Sequence, residues 1–285
     1  MSTIRKTAQF IRHHPLLEQA DSLWHLLRKP YHRLINLSGR GAKVTVGSIC
    51  PVRIPPEFTG GYWEAYEPEA IKAVVSWLAA NPDALFLDVG CAVGIVSVTA
   101  LNASERVDVI AFDSDLGSLK ATQRMCQFAP RAERLRVVYG FVSDCHLSGR
   151  SLKGAVEDTL AKVDSSFISG DPGTTQYVCV SDDADRNIPT NSLDGLFATL
   201  PARTKPMLIK CDVEGAELLV LKGARKLLQE SSPVLLLSVH PPALPRYGHS
   251  VEMLKQHLTN IGYDWTLIAV DHEEHWWCTR QVEQP

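Results

Sequence analysis

Residues 85–101 read LFLDVGCAVGIVSVTAL. An apolar run ends on Asp88, Gly90 and Gly94 bracket a short turn, and a second apolar segment begins at once. Glycines let a backbone turn sharply and come close to a ligand, and the first turn of a helix favours anionic groups. The stretch therefore reads as strand, ligand-facing turn and helix. Outward from it the same alternation continues in both directions. The spacing predicts a helix over 68–80, strands over 84–89 and 107–112, a helix from Ala92, a helix over 116–126 and a strand over 135–142. It resumes with a strand over 207–211, a helix over 216–229, a strand over 234–239 and a helix over 251–260. Two closing strands, 264–270 and 275–280, are joined by Asp271-His272-Glu273-Glu274, short enough for a hairpin. Strands alternating with helices predict an α/β fold with a parallel sheet covered by helices.

The glycine turn separates cofactor classes. A dinucleotide fingerprint needs Gly at 90, 92 and 95, whereas the chain supplies Gly90, Ala92 and Ile95. NAD and FAD are therefore disfavoured. The next strand ends VIAFDSD, which places Asp113 where a carboxylate accepts hydrogen bonds from both hydroxyls of a ribose. An adenosine without a pyrophosphate satisfies both observations. Asp144, after YGFVSD, is a candidate for the adenine amine or a turn acid.

Residues 210–224 read KCDVEGAELLVLKGA and directly follow the apolar run 206–209. Charges at that position cost free energy unless paired or used. Period-2 alternation puts Lys210, Asp212 and Glu214 on one side of the strand, at the carboxyl edge where open α/β sheets bind ligands. Lys210 and Glu214 are substrate or architectural candidates, and a Lys210–acid pair that only ties strand to helix accounts for the charge equally well. Gly215 lets the chain leave the strand, and Leu218, Leu221, Ala224 and Leu228 seat the following helix.

The succession FLDVGCAVG, AFDSD, SLDGLF, IKCDVEGAELLVLKGA and PVLLLSVH resembles the FkbM family of S-adenosylmethionine-dependent methyltransferases over residues 63–263, with DVEGAE as the most specific element. The resemblance implies a class I, Rossmann-like fold: seven strands, mostly parallel, the last one antiparallel. It also implies S-adenosyl-L-methionine as cofactor and O-methylation of a glycan, glycolipid or polyketide-like hydroxyl. On that reading Asp88, Gly90, Gly94, Asp113, Asp144 and Asp212 bind the cofactor, Asp212 lying near its sulfonium. The chain departs from the family pattern at Cys91-Ala92 (commonly Ala-Asn), at Asp113 (commonly Glu) and at Ser238 (usually Glu).

Methylating an alcohol requires removal of a tightly held proton. His240, after PVLLLSV and fixed by Pro241-Pro242, is the candidate base, because an ordinary imidazole titrates near neutrality, the alternative being a histidine that only binds substrate or caps the strand. With Asp212 it completes the expected catalytic pair. His272 and His275 lack the i, i+4 spacing of a zinc helix and an evident third ligand, so no metal is expected and the 271–274 tip reads as solvated. The enzyme reading competes with a non-catalytic adenosylmethionine-binding module. Within the enzyme class a protein or nitrogen acceptor is the weaker option, because Asn-Pro-Pro-Tyr is absent where DVEG stands.

Composition bounds the rest. The 285 residues are 45% hydrophobic and carry a net charge of −3, enough for a full core and too little charge to argue for nucleic acid. Seven dispersed cysteines with no C-x-x-C pair fit a reducing cytoplasm. Residues 1–47 form a basic arm whose apolar stripe is broken by Pro15 and Pro30. Packing against protein is the expectation for it, an anionic membrane surface being the alternative. Residues 48–285 form the methyltransferase-like domain, with a variable insertion at about 144–191; a hairpin-like lead-in at 39–58 spans its boundary with the arm. Nothing in the sequence identifies the acceptor or the oligomeric state.

Overall fold

The computed structural model describes residues 40–165, 188–199 and 205–281. The basic arm falls outside them up to residue 39, as does much of the 144–191 insertion. The lead-in is the expected hairpin: β1 (Ala42–Val46) pairs antiparallel with β2 (Cys50–Ile54). Its turn carries left-handed backbone at Gly47 and Ser48, the twist that tight hairpins require. Then come α1 (Pro68–Ala80), β3 (Leu85–Val89), α2 (Ile95–Ala103), β4 (Asp108–Asp113), α3 (Leu116–Cys126), β5 (Leu135–Tyr139), β6 (Phe141–Val142) and α4 (Leu152–Ser165). The second half supplies β7 (Thr190–Asn191), α5 (Leu193–Phe197), β8 (Met207–Cys211), α6 (Glu217–Lys222), α7 (Arg225–Ser231), β9 (Val234–Val239), α8 (Val251–Asn260), β10 (Tyr263–Val270) and β11 (Glu274–Arg280).

Seven strands form one sheet in the order β10-β11-β9-β8-β3-β4-β5. The pairs β9–β8, β8–β3, β3–β4 and β4–β5 are parallel, and β11 runs antiparallel between β9 and β10. Successive side chains alternate faces. Leu85, Leu87, Ile209, Leu235 and Leu237 thus join one core with α5 to α8, while Phe86, Val109, Leu208 and Leu236 join the other with the β1–β2 hairpin and α1 to α3. Both faces are covered, which is why β3 and β8 are buried at every position. Among the described residues no helix is long and apolar enough to cross a membrane.

Three elements differ from the sequence expectation, each for a packing reason. The strand expected over 135–142 breaks at Gly140 (φ +138°), where a side chain would overlap the Pro189 carbonyl, and its end pairs parallel with β7 instead. The helix expected over 216–229 is two helices, because Gly223 packs directly on the Ser143 carbonyl and Asp194 caps α7 through the Lys226 and Leu227 amides, both at 2.9 Å. That cap accounts for the aspartate in SLDGLF. The helix expected from Ala92 starts at Ile95, since Gly90, Ala92 and Gly94 all take left-handed backbone.

Candidate active site

The carboxyl ends of β3, β4, β8 and β9 and the start of β11 bring the charged residues together. Lys210 lies at the centre, 3% exposed. Its Nζ donates to Asp212 Oδ2 at 2.9 Å and to the Gly90 carbonyl at 3.1 Å, and stands 3.6 Å from Asp88 Oδ1. Burial alone would lower the lysine pKa, but the two aspartates outweigh it and hold the ammonium charged. Asp88, fully buried, accepts the Ser97 hydroxyl at 2.6 Å. Asp88 thus has an interior role: it fixes Lys210, which fixes the glycine turn and Asp212.

A Cβ at Gly90 (φ +78°) would overlap the Asp212 carbonyl oxygen, and one at Gly94 (φ +78°) would meet Thr122 at 2.7 Å. Both are demanded first by the chain's own packing, β3 against the exit of β8 and the turn against α3. The turn and the end of β4 are knit to each other: Asp113 Oδ2 accepts the Ala92 amide and Oδ1 the Asp115 amide, each at 2.9 Å. Burial nevertheless pushes the Asp113 carboxyl up to about 7, the two amides opposing it. Ala92 (φ +47°) pays the penalty of a left-handed L-residue. Replacing Ala92 with Gly is expected to raise stability by about 0.5–1 kcal/mol in urea unfolding, the relief exceeding the added freedom of the unfolded chain.

His240 lies beyond β9. Its Nδ1 is 2.9 Å from Oε1 of the wholly buried Glu217, which also accepts the Gly215 amide at 3.0 Å. Its Nε2 faces Asp212 Oδ1 at 3.6 Å, Glu214 Oε2 at 3.6 Å and Glu273 Oε2 at 3.9 Å. Burial lowers the imidazole pKa, but the Glu217 hydrogen bond and the surrounding carboxylates prevail and raise it to about 9. The imidazole is therefore not the unperturbed one expected: the acids around it raise its pKa and favour the protonated ring. The expected strand-side set Lys210, Asp212 and Glu214 does converge, although Glu214 reaches His240 from left-handed backbone (φ +52°) after the strand has ended.

The 271–274 tip is not solvated throughout. Glu273 and His275 are buried, and burial followed by the charges of Asp212 and Glu67 raises the Glu273 carboxyl to about 8. His275 Nδ1 is 3.2 Å from Ser238 Oγ and its Nε2 3.2 Å from each Asp271 oxygen. Ser238, at a position where the family usually has an acid, thus orients His275. The sequence reading missed Glu67, Glu217 and Glu273. Glu217 belongs to the quoted DVEGAE element, which was signal enough; Glu67 reads as an ordinary residue before a helix proline. Asp144 is exposed, hydrogen-bonded by Ser143 at 3.2 Å and packed through its backbone on Gly223, and among the described residues no hydrogen bond or ion pair joins it to the glycine turn.

The sheet order, the lone antiparallel strand and the glycine turn at the carboxyl edge are those of a Rossmann-like α/β fold. The methyltransferase FkbM domain matches residues 122–265, half of the chain, and the protein belongs to that family. The match contains Lys210, Asp212, Glu214, Glu217 and His240; Gly90, Gly94 and Asp113 precede it. Among solved structures, methyltransferase FkbM from Methylobacillus flagellatus KT is 19% identical with a TM-score of 0.44, over 68% of this chain and 43% of that one. The chain thus spans less than half the length of that relative. Precorrin-6y C5,15-methyltransferase from Geobacter metallireducens GS-15 is 13% identical (TM-score 0.42; 77% and 89% covered). The O-methyltransferase from Bacillus cereus in complex with SAH is 8% identical (TM-score 0.40; 75% and 82% covered). No curated protein matches the chain.

Proposed function

We propose that this protein transfers a methyl group from S-adenosyl-L-methionine to a hydroxyl of a glycan, glycolipid or polyketide-like acceptor. The observation that carries the reading is the tie through Lys210, which fixes the Gly90 turn and Asp212 to each other and so couples a nucleoside-binding side to an acid-rich reacting side. The residues fit the cofactor. Asp113 has both oxygens oriented by backbone amides with lone pairs left for ribose hydroxyls, and no dinucleotide fingerprint offers a place for a pyrophosphate. When bound, the cofactor supplies an electrophilic methyl group on a sulfonium. Asp212, with one oxygen on Lys210 and the other toward His240, offers that cation a carboxylate whose own position is fixed. The acids around His240 accept hydrogen bonds from acceptor hydroxyls and disfavour an anionic acceptor end. Alignment supplies on the order of 7–11 kcal/mol of the barrier reduction.

Asp113→Asn is expected to weaken S-adenosylhomocysteine binding by about 1.5–3 kcal/mol, roughly tenfold to over a hundredfold, because hydrogen bonds to a charged group are lost. The Asp113 carboxyl titrates near 7, and its anion is the form that accepts both hydroxyls. Wild-type affinity should therefore rise as pH increases from 6 to 8, and the variant should lose that dependence. Calorimetry across that range is the check; preferential binding of NAD would contradict the reading. Transfer of labelled methyl to glycans and lipids from cells lacking the gene, compared with cells carrying it, tests the acceptor class directly.

A further inference from the structure

Three groups of ligand-type side chains lie at this edge of the sheet among the described residues, and one of them, Asp271, His272 and Glu273, sits largely on the exposed hairpin tip. In the first of the other two, Glu67, Glu273 and His275 lie buried within 4.8 Å of one another. Both ring nitrogens of His275 are already engaged, by Ser238 and by Asp271, so that group is closed. The second group, Asp212, Glu214 and His240, also has its donor atoms within 4.8 Å, and here Nε2 of His240 has no hydrogen-bond partner among the described residues. We propose that Asp212, Glu214 and His240 bind a divalent cation, with Glu273 as a further oxygen donor.

Four observations carry this. The separations from Nε2, 3.6, 3.6 and 3.9 Å, are too long for hydrogen bonds. They are close to the edges of a coordination polyhedron, since donors about 2.0–2.2 Å from a shared cation stand roughly 3.0–3.6 Å apart. The donors are also distributed so that each has one free atom: Lys210 takes Asp212 Oδ2 and leaves Oδ1, and Glu217 takes His240 Nδ1 and leaves Nε2. A carboxylate on the far nitrogen is the arrangement that orients metal-binding histidines. Glu217 is fully buried behind the imidazole: its Oε1 takes Nδ1 of His240, and its Oε2 has no hydrogen-bond partner among the described residues. Finally, Glu214 is half-exposed, which gives the cation an entry path and an open coordination position.

One imidazole with two or three carboxylates suits Mn²⁺ or Zn²⁺ better than a soft metal. What the cation does rests on the methyl-transfer reading: coordinated to it, an acceptor hydroxyl releases its proton to solvent. Its oxygen attacks the methyl carbon, and the C–S bond breaks with the electron pair going to sulfur. This assigns activation to a Lewis acid rather than to an imidazole base.

The test is Mn²⁺ binding to the full chain after EDTA treatment and desalting, followed by loss of the free-ion electron paramagnetic resonance signal. One ion per chain is expected. His240→Gln and Glu214→Gln should each weaken binding by roughly 100-fold, and Glu217→Gln by about 10-fold. Glu214 is exposed enough for its variant to fold, which circular dichroism verifies. No saturable binding, or binding that survives both His240→Gln and Glu214→Gln, overturns the cation site. S-adenosylhomocysteine binding, measured on the same samples, separates the two readings: its absence counts against the proposed function and leaves the cation result standing.

Discussion

Lys210→Met lowers stability by about 3–5 kcal/mol, the expected cost of breaking a buried ion pair from one side. The lysine is 3% exposed and compensates two carboxylates, Asp88 in the interior and Asp212 at the site edge. Without it Asp88 keeps only the Ser97 hydroxyl, in a place where burial already raises its pKa, and takes up a proton instead of remaining charged. Removing both sides is less harmful than removing one. The double variant Asp88→Asn, Lys210→Met should therefore recover about half of the loss, a non-additivity that a double-mutant cycle reads directly. Urea midpoints at constant slope are the measurement. The single variant should also weaken S-adenosylhomocysteine binding, because the Gly90 carbonyl and Asp212 lose their common donor. A midpoint unchanged from wild type would mean that the lysine charge does not hold this edge together.

Gly90→Ala is expected to cost about 4 kcal/mol or more, in the range reserved for severe core or backbone conflicts. Two penalties combine. The φ of +78° disfavours any side chain, by roughly 1–2 kcal/mol, and the added carbon would overlap the Asp212 carbonyl oxygen. A backbone oxygen cannot rotate aside as a side chain does. Relief requires β3 and β8 to part where the Asp212 amide donates to the Val89 carbonyl at 2.9 Å, so cofactor affinity should fall together with stability. Gly149 provides the contrast. It has left-handed backbone (φ +63°) with nothing within 4 Å, so Gly149→Ala should show the conformational penalty alone, about 1–2 kcal/mol. Thermal unfolding of the two variants side by side decides the matter; equal losses would show that the contact with Asp212 adds nothing.

The sequence by itself determined the layered α/β fold and most element boundaries, because alternation of apolar strands with amphipathic helices is local information. The helices over 68–80, 116–126 and 251–260 and the strands over 207–211 and 234–239 are where periodicity places them. It also picked out the glycine turn at Gly90 and Gly94, Asp113 at the end of β4, and the charged edge at Lys210, Asp212 and His240, which the fold brings to one side of the sheet. Tertiary structure alone decided what those residues do. The breaks at Gly140 and Gly223 arise from contacts with Pro189 and Ser143, distant in sequence. The pKa of His240 is raised only because Glu217, Asp212 and Glu214, distant from it in sequence, surround the imidazole. Glu273 looked like one acid in a polar turn until the β10–β11 hairpin folded it toward the ends of β8 and β9. Periodicity reports which face a residue takes within its own element; charge state depends on which other elements arrive at that face, and that is set by sheet order.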